Sequence, residues 1–443
     1  MLKTFNLGGV HPPENKLSKD KAIEVLPVPT SVFIPVAQHI GAPATPVVKR
    51  GDEVKVGQVI AKSSSFVSTN IHSSVSGKVK KVDFSSDSSG YPKEGIFIDV
   101  EGDEWIDGID RSTDLVKEIS VDGPEIIQKI QDAGIVGLGG ATFPTHVKLV
   151  PPKGMKADVL LINGVECEPY LTSDHRLMLE KADEILVGTR LLMRALNVDK
   201  AVIGIENNKP DAIKLIKEKC KEYNGLSVVA LKVQYPQGGE KQLINAVTGK
   251  EVPSGALPIA VGTVVSNVGT AYAVYEAIQK NKPLIERVVT VTGKGVSKPS
   301  NFLVRVGTAT SELVEAAGGL PEDTGKVISG GPMMGRAIPS LDVPVTKGTS
   351  GILLMREQEA TREETMTCIR CSRCTTVCPM GLEPYLLKKL GEKQIFDRAE
   401  KERIMDCIEC GSCSYTCPSN LPLLDYIRFG KGKVGQIIRS RKK

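Results

Sequence analysis

Two copies of one cysteine pattern near the C-terminal end carry the clearest chemistry in this sequence. The copies are Cys368-x-x-Cys371-x-x-Cys374-x-x-x-Cys378-Pro379 and Cys407-x-x-Cys410-x-x-Cys413-x-x-x-Cys417-Pro418. This is the ligand spacing of two-cluster ferredoxins, in which the fourth thiolate of each run binds the other cluster. The pattern therefore predicts two [4Fe–4S] clusters. Cluster one would be held by Cys368, Cys371, Cys374 and Cys417, and cluster two by Cys407, Cys410, Cys413 and Cys378.

Length and composition describe a globular protein of several domains. A chain of 443 residues with 41% hydrophobic residues suggests three or four domains. The net charge of +5 is small for this size and does not indicate nucleic-acid binding. Only Cys167 and Cys220 lie outside the two runs, and so many free thiolates fit a reducing compartment, the cytoplasm. The uncharged stretch 252–275 contains several prolines and glycines, which favours a buried segment over a membrane span.

The predicted secondary structure that must position the clusters changes from β-rich to mixed α/β and then to helical along the chain. Residues 30–100 have β-rich patterning and resemble the barrel-sandwich hybrid fold of biotinyl and lipoyl carriers. The hairpin tip Ser68–Ile71 has no lysine to modify, which favours a structural module. Alternating helices and buried strands follow, typical of a Rossmann-like α/β domain. A β-grasp-like insert and a helical, ferredoxin-like dicluster domain complete the multidomain α/β and α+β fold. The predicted domains are 1–115, 116–283, 284–350 and 351–443.

A glycine-rich loop opens the α/β domain. Its sequence is Gly137-Leu138-Gly139-Gly140-Ala141-Thr142-Phe143-Pro144-Thr145, and Lys148 follows shortly after. Successive amides in such a loop can form an anion-binding nest, to which Lys148 would add a positive charge. The loop is neither a Walker motif nor the dinucleotide fingerprint, and a plain turn is the alternative.

Two further segments place polar groups after predicted strands, where α/β domains usually bind ligands. The first is Asn163-Gly164-Val165-Glu166-Cys167-Glu168-Pro169, and the second is Tyr235-Pro236-Gln237-Gly238-Gly239-Glu240. Their carboxylates could accept hydrogen bonds from ribose hydroxyls or from a flavin ring N–H. Taken alone, each segment could equally be a solvated loop.

These segments, with Ser266-Asn267-Val268, occur in the order seen in the NADH-binding flavoprotein subunit of respiratory complex I. With Gly8-Gly9-Val10-His11-Pro12-Pro13 at the N-terminus and the dicluster end, the chain resembles the C subunit of Rnf-type ferredoxin:NAD oxidoreductases. The resemblance implies FMN on the glycine-rich loop, NADH stacked over it, and electron transfer through the clusters in either direction. The cofactor-binding residues that it implies are Gly137, Gly139, Gly140, Ala141, Phe143, Lys148, Asn163, Glu166, Glu168, Tyr235, Gly238, Glu240 and Asn267.

The sequence departs from the complex I pattern at four positions. Leu138 stands in place of an arginine, Val165 of an aspartate, Cys167 of a serine and Gly239 of a glutamate. The departures weaken the NADH contacts more than the FMN site. No catalytic acid–base residue is expected. The alternatives are a soluble flavin and iron–sulfur cobalamin reductase and a non-catalytic electron-wire subunit.

The resemblance also implies partners and a location. The partners would be an iron–sulfur subunit and integral membrane subunits of one complex, with NADH as substrate and ferredoxin reached indirectly. The tail Arg428–Lys443 carries seven basic residues and no acidic residue. It could attract an anionic membrane surface, or it could be a frayed terminus. We expect a peripheral protein on the cytoplasmic face of the membrane.

Overall fold

The structure is a computed structural model that describes residues 2–441. Its strands are β1 (Ile23–Val25), β2 (Ser31–Pro35), β3 (Thr45–Pro46), β4 (Glu53–Val54), β5 (Val59–Lys62), β6 (Ile71–His72), β7 (Gly77–Ser86), β8 (Pro92–Val100), β9 (Val159–Asn163), β10 (Ala201–Glu206), β11 (Leu226–Leu231), β12 (Thr263–Asn267), β13 (Glu286–Thr292), β14 (Ser300–Arg305), β15 (Thr324–Ser329), β16 (Arg336–Ala337) and β17 (Gly351–Arg356). Its α-helices are α1 (Gly123–Asp132), α2 (Thr145–Lys148), α3 (Ser173–Glu180), α4 (Ala182–Leu196), α5 (Pro210–Lys219), α6 (Glu240–Thr248), α7 (Val268–Gln279), α8 (Thr310–Ala316), α9 (Glu357–Ala360), α10 (Arg373–Thr376), α11 (Pro384–Glu392), α12 (Phe396–Lys401), α13 (Ser412–Tyr415) and α14 (Leu423–Arg441).

Two small antiparallel sheets form the β module between residues 31 and 100. Their strand orders are β2-β8-β7-β4 and β3-β5-β6. Alternate residues point inward, so that Ile34, Ile60, Ile71 and Ile96 are fully buried between the sheets. This is the β-rich module predicted from the sequence.

A four-stranded parallel sheet with the order β11-β10-β9-β12 forms the centre of the α/β domain. One face packs against α1, α4 and α7, and the other packs against α6. The chain adds β10 on one side of β9 and β12 on the other. The strand order therefore reverses beside β9, and ligands bind outside the carboxyl ends of strands at such a point. Asn163 and Asn267, the last residues of β9 and β12, lie side by side there.

The third sheet has the order β1-β14-β13-β17-β15-β16, with α8 packed in its core. It draws strands from outside the predicted range 284–350. Ile23–Val25 pairs in parallel with β14, although the sequence prediction assigned it to the N-terminal domain. Strand β17, just beyond residue 350, joins β13 to β15. These pairings are long-range, and a three-residue strand leaves no periodic signal in the sequence.

The cysteine domain is helical. Helices α11 and α14 pack closely. Their backbones approach so near at Gly391 that a Cβ atom there would lie only 2.3 Å from the carbonyl oxygen of Tyr426. The basic tail is not frayed over the residues described: α14 extends to Arg441 and buries Val434 completely. Lys442 and Lys443 lie outside the described residues. Within residues 2–441 no helix is both long enough and apolar enough to cross a bilayer.

Candidate redox site

The glycine-rich loop is a hairpin-like turn at the edge of the parallel sheet. Gly137 N–H donates to the Phe143 carbonyl at 2.9 Å, and Leu138 N–H donates to Thr270 Oγ1 at 3.0 Å. The tip, Gly139 to Ala141, is exposed. The loop therefore presents its amides beside the first turn of α7.

Gly139 lies directly against Asn267. A Cβ atom at Gly139 would come within 2.6 Å of Asn267 Nδ2, so a larger residue would displace that amide. Asn267 caps α7 by accepting from Gly269 N–H at 2.7 Å, and it donates to Asp174 Oδ2 at 2.7 Å. The glycine is thus required for close approach of the loop to the end of β12.

Asn163 ties the two sequence-predicted polar segments together. Its Nδ2 donates to the Gly238 carbonyl at 2.8 Å, and its Oδ1 accepts from Val165 N–H at 3.1 Å. Because Asn163 and Asn267 are register neighbours, the structure brings Gly139, Asn163, Gly238 and Asn267 around one crevice.

Lys148 and Glu240 form an ion pair in the α/β domain. Lys148 Nζ lies 2.7 Å from Glu240 Oε1 and donates to the Val265 carbonyl at 2.8 Å. The two side chains are 36% and 40% exposed, so both remain accessible. Lys148, predicted to meet a phosphate, and Glu240, predicted to accept from a ribose hydroxyl or a flavin ring N–H, are therefore direct partners.

The carboxylate of Glu166 caps a helix. It accepts from the N–H groups of Asp174 at 2.8 Å and His175 at 3.1 Å, and from Ser173 Oγ at 3.2 Å. A carboxylate at this position also interacts favourably with the dipole of α3. The carboxylate of Glu166 thus contacts the start of α3, and its role as a cofactor-binding residue stays a prediction.

Glu168 lies deeper, between the α/β domain and the third sheet. Its carboxylate accepts from the N–H groups of Met333 at 3.1 Å and Met334 at 2.7 Å. Burial raises the pKa of Glu168 to about 7, although these two amides and Lys16 oppose the shift. Its carboxyl group can therefore change its protonation near neutral pH.

Tyr235 connects the segment that contains Gly238 to the cysteine domain. Its ring is buried, and its Oη donates to the carbonyl oxygen of Cys410 at 2.7 Å. Phe143 lies half-buried at the far end of the glycine-rich loop. Tyr235 thus joins the loop that carries Gly238 and Glu240 to the second cysteine run.

Four thiols line one small pocket in the cysteine domain, those of Cys378, Cys407, Cys410 and Cys413. The remaining lining is largely apolar. Burial raises the pKa of Cys413 to about 12, and the nearby thiols of Cys410, Cys407 and Cys378 contribute to this shift. The donor set matches the crossed combination predicted for cluster two, and four thiols around a water-poor cavity suit a [4Fe–4S] cube.

The cysteines predicted for cluster one are more exposed. Cys371 is exposed, and Cys368, Cys374 and Cys417 are partly exposed. Burial raises the pKa of Cys374, and the nearby thiol of Cys417 contributes to the shift. Over residues 2–441, no three histidine, cysteine or acidic side chains converge tightly enough to hold a single metal ion.

A second pocket lies beside Leu138 of the glycine-rich loop. It is bordered by Leu138, Asp174, Gly269 and Arg287, and none of the sequence-predicted binding residues lines it. Burial lowers the pKa of Arg287 to about 10. Leu138, at one of the departures from the complex I pattern, thus lines this second pocket.

Two further residues hold these segments in place and were not predicted from the sequence. Thr270 holds the glycine-rich loop through Leu138, and Gln242 donates from Nε2 to the Pro379 carbonyl at 3.1 Å. Thr270 lies just after the recognised Asn267 and could have been suspected. Gln242 has no local signature, because its partner is distant in the chain.

Comparison with known proteins agrees with this arrangement. Four family models match in chain order: RnfC barrel sandwich hybrid domain at 3–103, Nuo51 FMN-binding domain at 130–276, SLBB domain at 288–337 and 4Fe-4S dicluster domain at 360–418. These matches confirm the predicted barrel-sandwich, flavin and dicluster parts, with FMN and two [4Fe–4S] clusters as cofactors.

Several curated proteins are similar over most of the chain. One is the C subunit of the proton-translocating ferredoxin:NAD(+) oxidoreductase complex of Clostridium ljungdahlii, with 50% identity over 90% of this chain and 87% of that protein. The Na(+)-translocating counterpart of Acetobacterium woodii is 43% identical over 89% of this chain and 88% of its own length. The C subunit of the ion-translocating oxidoreductase complex of Rhodobacter capsulatus is 43% identical over 98% of this chain and 84% of its own length.

Proposed function

This chain belongs to the family of C subunits of ion-translocating ferredoxin:NAD(+) oxidoreductase complexes, and we propose that it is the subunit at which NAD(H) exchanges electrons with such a complex. FMN, when bound, exchanges a hydride with NAD(H) and single electrons with iron–sulfur clusters. The protein's part is to bind, orient and connect these groups.

The residues around the crevice contribute to binding and orientation in different ways. Gly139 leaves room for close approach of a ligand, while Asn163 and Asn267 supply fixed amide groups at the strand ends. Lys148 offers a positive charge to a phosphate, with Glu240 holding it in place. Glu166 acts indirectly, because its carboxylate orders the first turn of α3 beneath the crevice.

The hydrogen bond from Tyr235 to the Cys410 carbonyl is the observation that carries the proposal. It supports a position for cluster two on the side of the cysteine domain that faces the flavin crevice. Cluster one would lie on the exposed side, since Cys371 is exposed and Ile369 beside it is 68% exposed. Electrons would therefore pass between the flavin crevice, cluster two, cluster one and another subunit.

The exposed side has the apolar character of a subunit interface. Met366, Ile369 and Tyr415 are each at least half exposed, near the cysteines of cluster one. Exposed apolar residues grouped in this way are typical of protein–protein contacts. We place the iron–sulfur subunit of the complex here, with the whole assembly at the cytoplasmic face of the membrane. In native cells the protein should then sediment with membranes.

Two cluster variants test the order. In the full-length protein under anaerobic conditions, Cys371→Ala should remove cluster one and leave NADH able to reduce FMN and cluster two. Cys413→Ala should remove cluster two and leave cluster one oxidised when NADH is added. Iron determination verifies which cluster is lost, and electron paramagnetic resonance reports which one is reduced. Reduction of cluster one in Cys413→Ala would refute the order.

The same addition of NADH distinguishes a catalytic subunit from a non-catalytic electron-wire subunit. A catalytic subunit binds FMN, and NADH bleaches the flavin absorbance. A wire with a degenerate site would lack flavin or would not respond to NADH.

A further inference from the structure

The segment Gly8–Val10, called the N-terminal strap here, lies between the flavin domain and the cysteine domain. On one side Val10 and Tyr235 exchange backbone hydrogen bonds of 2.8 and 2.9 Å, and Gln234 Nε2 donates to the Gly8 carbonyl at 2.8 Å. On the other side Gly9 N–H donates to the Val377 carbonyl at 2.9 Å. The strap therefore contacts both redox domains through its backbone.

The two glycines of the strap permit this contact. Their φ angles are +72° at Gly8 and +93° at Gly9, a region that side chains disfavour. A Cβ atom at Gly8 would lie 2.6 Å from the Val377 oxygen and 2.7 Å from the carbonyl carbon of Cys378. Both neighbours are backbone atoms, so they cannot rotate away. Any side chain at Gly8 must push the strap and the Cys378 loop apart.

The strap acts on the same loops as two side chains of the flavin domain. Tyr235 bonds to the carbonyl of Cys410, and Gln242 bonds to the carbonyl of Pro379, the residue after Cys378. Both belong to the segment that contains Gly238 and Glu240. The segment from Tyr235 to Gln242 thus borders the flavin crevice and hydrogen-bonds to both loops of the cluster-two cavity. The strap adds a further hydrogen bond to one of these loops.

We propose that the N-terminal strap is a positioning element that sets the distance between the flavin crevice and cluster two, and with it the rate of electron transfer between them. The inference depends on the proposed function. The step is the transfer of single electrons from reduced FMN to oxidised cluster two, with NADH as the reductant. Electron tunnelling slows exponentially with distance, so a small separation of the two domains slows the transfer.

The test compares Gly8→Ala with Gly90→Ala in the full-length, cofactor-loaded protein. Gly90 has a similar φ of +78°, but nothing lies within 4 Å of its Cβ position, so it reproduces the backbone strain without the displacement. After mixing with NADH, flavin bleaching is followed by stopped-flow absorbance and cluster reduction by freeze-quenched paramagnetic resonance. Gly8→Ala should keep flavin bleaching and slow cluster reduction several-fold, whereas Gly90→Ala should resemble the unaltered protein.

A readout independent of turnover is hydrogen–deuterium exchange in residues 376–382. Exchange there should be faster in Gly8→Ala than in Gly90→Ala. If Gly8→Ala loses its clusters, Gln234→Ala decides the matter, because it removes the side-chain bonds to Gly8 and Thr4 and leaves the backbone bonds of the strap in place. Cluster reduction at the unaltered rate in a loaded strap variant would overturn the inference. Absence of flavin bleaching in the unaltered protein would instead refute the proposed function.

Discussion

A buried lysine at the junction of three domains should make stability rise with pH. Lys347 is 1% exposed, and its Nζ donates to the carbonyls of Gly134 at 2.7 Å and Asn70 at 3.0 Å. These bonds join the third sheet to the end of α1 and to the β module. Burial lowers the pKa of Lys347 from 10.5 to about 7.

The sign and size of the effect of Lys347 on the free energy of unfolding follow from proton linkage. Between pH 7 and 10.5 the unfolded chain binds more protons at this lysine than the folded one does, so the free energy of unfolding rises with pH. With the two pKa values above, the lysine lowers stability by about 4 kcal/mol at pH 7.5 and by about 1.5 kcal/mol at pH 9.5. The expected gain across this window is roughly 2.5 kcal/mol from this one group. The adjacent His72 and His39 do not contribute, because burial lowers the pKa of each imidazole and leaves it neutral throughout.

The variant Lys347→Met should abolish this gain. It leaves the Gly134 and Asn70 carbonyls without a donor, at a cost of about 1–3 kcal/mol each that does not depend on pH. The measurement is therefore the change in urea-unfolding free energy between pH 7.5 and 9.5, not its absolute value. Lys62→Met, at an exposed lysine of the β module, is the matched control. An unchanged pH dependence in Lys347→Met would refute the reasoning.

Three further outcomes are expected. Because the pKa of Glu168 is raised, the folded state binds an extra proton at this carboxyl group between pH 4.5 and 7. The free energy of unfolding should therefore fall by up to ~3 kcal/mol as pH rises through that window. Glu168→Gln should remove this fall, measured by urea titration at several pH values. Gly139→Val should eliminate bound flavin, measured by absorbance after purification, while leaving the iron content unchanged; full flavin retention would contradict the site. Deleting residues 431–443 removes the 2.6 Å hydrogen bond from Lys431 Nζ to the Cys407 carbonyl. The iron content should therefore drop, while NADH should still bleach the flavin. Full iron content would show that α14 does not support cluster two.

The features predictable from sequence are those with a local physical cause. Cysteine spacing predicted the grouping of Cys378 with the second run, because three closely spaced thiolates and a proline-flanked fourth can wrap a cube in only a few ways. Asn163 was identified as a candidate because it follows a buried strand, where ligands meet the sheet, whereas Asn267 was implied only by the family resemblance.

What escaped prediction depends on contacts between distant segments. The helix-capping contacts of Glu166 with the start of α3 are one example. The pairing of Ile23–Val25 with β14 and the bond from Gln242 to Pro379 likewise join remote parts of the chain. No periodicity or spacing in one segment encodes its partner in another.

The N-terminal strap also has a consequence for biosynthesis. It is synthesised long before its partner Val377, because the β module, the flavin domain and the third sheet all lie between them in the sequence. The junction between the redox domains therefore cannot close until most of the chain has been translated. The order of the chain thus makes the closing of this junction a late step in folding.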